Sequence, residues 1–117
     1  MNRIVFAAAF LLLDLGAASA AEKGPSVAHG RMLFLTSGCK HCHGTLGHGT
    51  NSGARLAPNP MPAEAIAQYI RAPRARMPAY SATVLSDADV ADIHAYLATM
   101  SQPKSPDAIP ALKDLKP

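Results

Sequence analysis

Apolar residues are spread unevenly along the chain. The first block, Ile4 to Leu13, is unbroken, with Arg3 before it and Asp14 behind it. After that the pattern becomes periodic. From Ser26 to Ser37, Val27, Gly30, Met32, Leu33, Phe34 and Leu35 give a short helix an apolar face. Gly30 and Phe34 are four apart and share one side of it. A glycine inside a helix costs about 1 kcal/mol against alanine, so Gly30 is either tolerated or present to let another backbone approach. Across residues 44–62 the period is lost, because Gly44, Gly47, Gly49, Gly53, Pro58, Pro60 and Pro62 punctuate the segment as a loop. A loop of that length in a small domain is usually functional or wrapped round something. Ala63 to Arg71 predicts a second helix, with Pro62 at its first position and Pro73 as its stop. Ile66, Tyr69 and Ile70 line one face of it. Residues 72–81 form another loop. The third helix is the clearest: Ser86 and Asp89 make a capping-box-like start, and Val90, Ile93, Leu97 and Met100 recur at helical spacing before Pro103. Ser101 to Pro117, with four prolines and three lysines, is expected to lie extended on the surface. No segment alternates as a strand would and none repeats, so the expected fold class is all-α.

The first block reads as a targeting segment rather than part of the fold. A basic start, a short apolar run and the small residues Ala18-Ser19-Ala20 form the three-part pattern of a secretory signal, with cleavage before Ala21. The run is too short to span a bilayer as a helix; an uncleaved membrane anchor is the competing reading. The organisation expected is therefore a signal over 1–20, one domain over 21–100 and a tail over 101–117, in an exported, periplasmic protein with no membrane span in the mature chain. Composition changes the picture in two ways. The chain of 117 residues has no tryptophan and only 5% aromatic residues, so its core is thin and a large buried cofactor would stabilise it considerably. Its formal net charge of +3 is unchanged by loss of Arg3 and Asp14; it suits an acidic protein partner and is too weak to argue for nucleic acid.

Two cysteines carry the candidate chemistry. An even count in an exported protein points by default to a disulfide, but Cys39-Lys40-His41-Cys42-His43 is C-x-x-C-H, the haem-attachment signature. Two thiols at this spacing add across the vinyl groups of haem as thioethers, and the adjacent imidazole of His43 lies beneath the iron as proximal ligand. Other readings fit less well. A thioredoxin-like pair needs a βαβ context that the pattern lacks. A zinc site built from His41 and His48 crowds one loop and has no second cysteine pair. A structural disulfide here would close a very small ring and add little stability.

With these residues in view, the chain resembles a class I cytochrome c domain over residues 26–100. Gly30 and Phe34 are similar to that family's glycine and aromatic in the first helix. Cys39 to Gly44 is similar to its haem motif, Met77-Pro78 to its distal methionine loop, and Tyr96-Leu97 to the aromatic-aliphatic pair of its last helix. The resemblance implies three to four short helices wrapped round one haem c, the last helix crossing the first at Gly30, and one haem edge exposed for electron exchange. It implies Cys39 and Cys42 as attachment points and His43 and Met77 as the iron's ligands. Spacing agrees on Met77, since the 34 positions after His43 can hold a helix and still return to the far face of the haem. Met61 is the competitor, 18 positions after His43. Met32 and Met100 are read as core. His48 and His94 remain as candidates for a second imidazole; otherwise His94 reads as a partly exposed helix residue and His29 and His48 as solvated side chains.

The match departs from the family at one place. The usual Gly-Pro-x-Leu is here Gly53-Ala54-Arg55-Leu56. Ala54 keeps the carbonyl that accepts the proximal histidine's N–H, while the fixed backbone angle of proline is lost. Arg71, Arg74 and Arg76 precede Met77, placed to pair with a haem propionate or to steer an acidic redox partner. The function expected is single-electron transfer, as a free carrier or as the haem subunit of a dehydrogenase. A peroxidase-like haem enzyme needs an open iron position and an acid/base pair, and a non-haem thiol or metal protein is the remaining alternative.

Overall fold

A computed structural model describes residues 24–115. The signal-like segment 1–20 lies outside the described residues, as do Lys116 and Pro117.

Ser26 starts the first helix, α1 (Val27–Thr36), its hydroxyl accepting the His29 N–H at 3.2 Å. After a turn at Ser37-Gly38 comes a one-turn helix, α2 (Cys39–His43). A long loop leads to α3 (Ala63–Arg71), and a shorter one to α4 (Asp87–Ala98). Pro62 caps α3 from outside rather than occupying its first turn. At α4 the capping box is complete: the Ser86 hydroxyl accepts the Asp89 N–H at 3.1 Å while the Asp89 carboxylate accepts the Ser86 N–H at 2.9 Å. The tail differs from the expected extended chain. It folds into two short 3-10 helices, Pro106–Ala108 and Pro110–Leu115, because prolines at 106 and 110 preset the backbone angle for such turns. The described residues contain no strand, and no helix among them is long and apolar enough to cross a membrane.

The core forms where α1 crosses α4. Gly30 is buried at that crossing, and a Cβ there would overlap the backbone of Asp92 and Ile93. Close approach, not tolerance, is therefore why this position is glycine. One turn on, Phe34 packs on Tyr96 with ring centroids 5.7 Å apart and planes tilted by 51°. Leu97, Val90, Ile93, Leu85, Ile70, Ala67 and Ala57 complete the buried cluster. Val27 and Met32 fall outside this stripe and are exposed, so neither belongs to the core face expected for α1. Met100 packs partly against the cluster.

Two histidines expected to be solvated are engaged. The Nδ1–H of His29 donates to Asp92 at 2.7 Å, and Asp92 also accepts the Ser26 N–H at 2.6 Å, tying the start of α1 to α4. The Nε2–H of His48 donates to the Ser101 carbonyl at 2.9 Å, fixing the long loop to the segment after α4. The hydroxyl of Tyr96 donates to Thr45 O at 2.8 Å on the same side.

Candidate functional site

One turn of helix gathers the chemistry. In α2, Cys39, Cys42 and His43 stand at positions i, i+3 and i+4, the spacing that puts side chains on one face. That face borders a cavity of about 880 Å³, the size of a pocket that encloses a substantial organic ligand. Phe34 from α1, Ile66 and Ile70 from α3, and Val90, Ile93 and Leu97 from α4 give it apolar walls. Met77 reaches it from the loop between α3 and α4 and packs partly against the core.

The long loop acts as a brace for α2. Its Gly53 lies so close to the Cys42 backbone that a Cβ would stand 2.6 Å from the Cys42 carbonyl oxygen. The Thr50 hydroxyl donates to that carbonyl at 2.5 Å, and the Thr50 N–H donates to Gly53 O at 2.9 Å. The next residue, Ala54, accepts from Nδ1 of His43 at 2.7 Å. A carbonyl can only accept, so Nδ1 carries the proton and the lone pair of His43 resides on Nε2. The absence of proline at 54 has not cost this contact, and the close Gly53–Cys42 approach packs the same segment against α2.

The candidate distal residues separate by position. Met77 and Met61 both border the cavity, but Met61 is 50% exposed at its rim. Met32, Met100, His48 and His94 do not border it. Ala75, two residues before Met77, adopts φ 59, a left-handed conformation that costs an alanine roughly 1–2 kcal/mol. The arginines divide too. Arg74 and Arg76 are exposed beside the cavity, together with Arg55, which sequence reading does not single out. Arg71 is committed elsewhere: it donates to Tyr80 O at 3.0 Å and to Asp87 at 2.8 Å, so it braces the fold rather than serving an anion in the cavity. Tyr80, also missed, borders the cavity; no periodicity marks a loop residue whose value lies in its hydrogen bonds.

Electrostatics set Cys39 apart from a reactive redox cysteine. Burial pushes the Cys39 thiol up from its ordinary value, the reverse of a reactive redox cysteine. Burial, then the charge of the neighbouring cysteine sulfurs, raises the Tyr80 phenol. Cys39 and Cys42 form no disulfide, and among the described residues no three His, Cys, Asp or Glu side chains converge to hold a metal on their own. The donor set suits a ring-bound metal that needs only axial ligands, with two thiols on the rim to anchor the ring.

Four helices around an apolar cavity, walled on one side by C-x-x-C-H and bordered on another by a thioether, define the c-type cytochromes. Residues 25–97 match the family described as cytochrome C oxidase, cbb3-type, subunit III, and the chain belongs to that family. No curated protein and no solved structure matches the chain. The family fixes an all-α cytochrome c fold and haem-based electron transfer, with haem c as the implied cofactor.

Proposed function

We propose that this protein is an exported single-electron carrier, working in the periplasm either freely or as the haem subunit of a larger oxidoreductase. The observation that carries the reading is the single apolar cavity shared by Cys39, Cys42, His43 and Met77. The bound group supplies a reversible Fe(III)/Fe(II) couple. Cys39 and Cys42 would anchor it as thioethers, and Nε2 of His43 and the soft neutral thioether of Met77 would hold its iron. The walls from α1, α3 and α4 exclude water, which favours the less charged, reduced form. Arg55, Arg74 and Arg76 surround the cavity's outer edge and suit an acidic docking face on a redox partner. The family's description names an oxidase subunit, which favours an oxidoreductase assembly as that partner. With His43 and Met77 both serving as ligands, the iron would offer no open site to peroxide, and the protein would transfer electrons without turnover of its own. A coulometric titration tests this: one reversible electron per chain and no peroxide consumption are expected, whereas sustained peroxide turnover by the intact protein contradicts the carrier reading.

A further inference from the structure

The loop that brings Met77 to the cavity is closed by one residue. Residues 72–79 leave α3 and return to it at Tyr80, whose backbone N–H donates to Ile70 O at 2.8 Å. The Tyr80 carbonyl accepts Nη1 of Arg71 at 3.0 Å, and Nη2 of the same guanidinium reaches Asp87 at 2.8 Å in the first turn of α4. The phenol hydroxyl donates to Ser37 O at 2.7 Å, at the end of α1 and two residues before Cys39. All three hydrogen-bonding groups of Tyr80 are thus engaged, two with the last turn of α3 and one with the end of α1, three residues from Met77. Ser37 leads directly into the α2 turn, so one phenol links the segment bearing Cys39 to the loop bearing Met77.

We propose that Tyr80 is a positioning residue that holds the Met77 loop shut and sets its separation from the Cys39–His43 turn; this rests on Met77 being the distal ligand. A neutral thioether binds iron weakly, so the fraction of time it is displaced follows the cost of opening its own loop. The hydroxyl of Tyr80 raises that cost without contributing a ligand. Removing it while keeping the ring shifts the opening equilibrium by about fivefold, the effect of one net hydrogen bond.

Cyanide uptake by the oxidised, haem-loaded protein reads this opening. Tyr80→Phe is expected to keep the far-red thioether band at rest but to bind cyanide about fivefold faster than the wild type. Tyr96→Phe is the matched control, since its hydroxyl makes a similar bond to a backbone carbonyl, Thr45 O at 2.8 Å, outside the cavity. It should bind cyanide at the wild-type rate despite a comparable loss of thermal stability. Arg71→Met, which removes the brace on the Tyr80 carbonyl and leaves the phenol, should accelerate uptake in the same direction. A wild-type rate in Tyr80→Phe, or equal acceleration in Tyr80→Phe and Tyr96→Phe, overturns the inference. A far-red band that survives Met77→Ala overturns the ligand assignment and this inference with it, whereas a band lost in Met77→Ala with no Tyr80 effect overturns the inference alone.

Discussion

A neutral imidazole has one lone pair, and at His43 the Ala54 carbonyl decides which nitrogen keeps it. Two thioethers, Met77 and Met61, also border the cavity, and the proposed function needs one of them as ligand. Met77 packs against the core, so the order its side chain gives up on binding iron is already largely lost, while Met61 sits exposed at the rim and would have to be drawn in. Met77→Ala should therefore abolish the far-red charge-transfer band, open reduced iron to carbon monoxide and lower the potential, because oxidised iron loses a ligand that favours the reduced state. Met61→Ala should leave the band in place; absorption spectra of the two variants decide, and the reverse pattern would transfer the role to Met61. At this scale the sequence was informative where spacing dictates chemistry, as in the Cys39–His43 motif. It was silent where a residue's role lies in a distant partner. Nothing local announces that Arg71 turns away to Asp87, that His29 meets Asp92, or that Tyr80 reaches Ser37.

Helices α1, α3 and α4 were legible because each joins a period of 3.6 to a readable boundary: Ser26 for α1, Pro62 and Pro73 for α3, Ser86 and Asp89 for α4. Helix α2 was not, since five residues are too few to show a period and its sequence reads as ligands rather than as a face. The 3-10 helices of the tail escaped for a similar reason, their prolines signalling both a break and a preset turn. The start of α4 makes a quantitative case. Ser86→Ala removes both the hydroxyl that caps Asp89 N–H and the donor to the Asp89 carboxylate, and should cost about 1 kcal/mol in thermal unfolding at neutral pH. These Ser86 hydrogen bonds, hydroxyl first and backbone second, hold the Asp89 carboxyl below its ordinary value. A carboxylate depressed in the folded state stabilises fully above its unfolded pKa of about 3.9 and loses that contribution as pH falls through the lower folded value. The gap between wild type and Ser86→Ala should accordingly be steady above about pH 5 and shrink below about pH 4. A gap independent of pH down to acid unfolding would show that the carboxylate has no part in the cap.

For the whole molecule, the apolar residues are arranged less around one another than around a space. The buried cluster contains few aromatics, and its members Phe34, Ile70, Leu85, Val90, Ile93 and Leu97 all turn a side to the cavity. Such an arrangement suits a large apolar occupant, in keeping with the thin aromatic composition. At the cavity's edge Arg74 and Arg76 are exposed, while Arg71 is held by Asp87, so the proposed docking role falls to the first two. Electron-transfer rates with an acidic partner should fall as salt rises, because exposed charges are screened beyond about 10 Å at 0.1 M. An Arg74→Ala, Arg76→Ala double variant should be slower at low salt and less sensitive to salt. Stopped-flow rates indifferent to both changes would remove these arginines from docking.

The central claim is covalent attachment of one haem at Cys39 and Cys42. Mass spectrometry of the denatured, acid-acetone-extracted protein, produced with c-type maturation machinery, tests it most directly. The chain plus one haem, with both cysteines closed to thiol reagents, is the expected result. A chain at its own mass, with two reactive thiols and the haem left in the acetone, would contradict it.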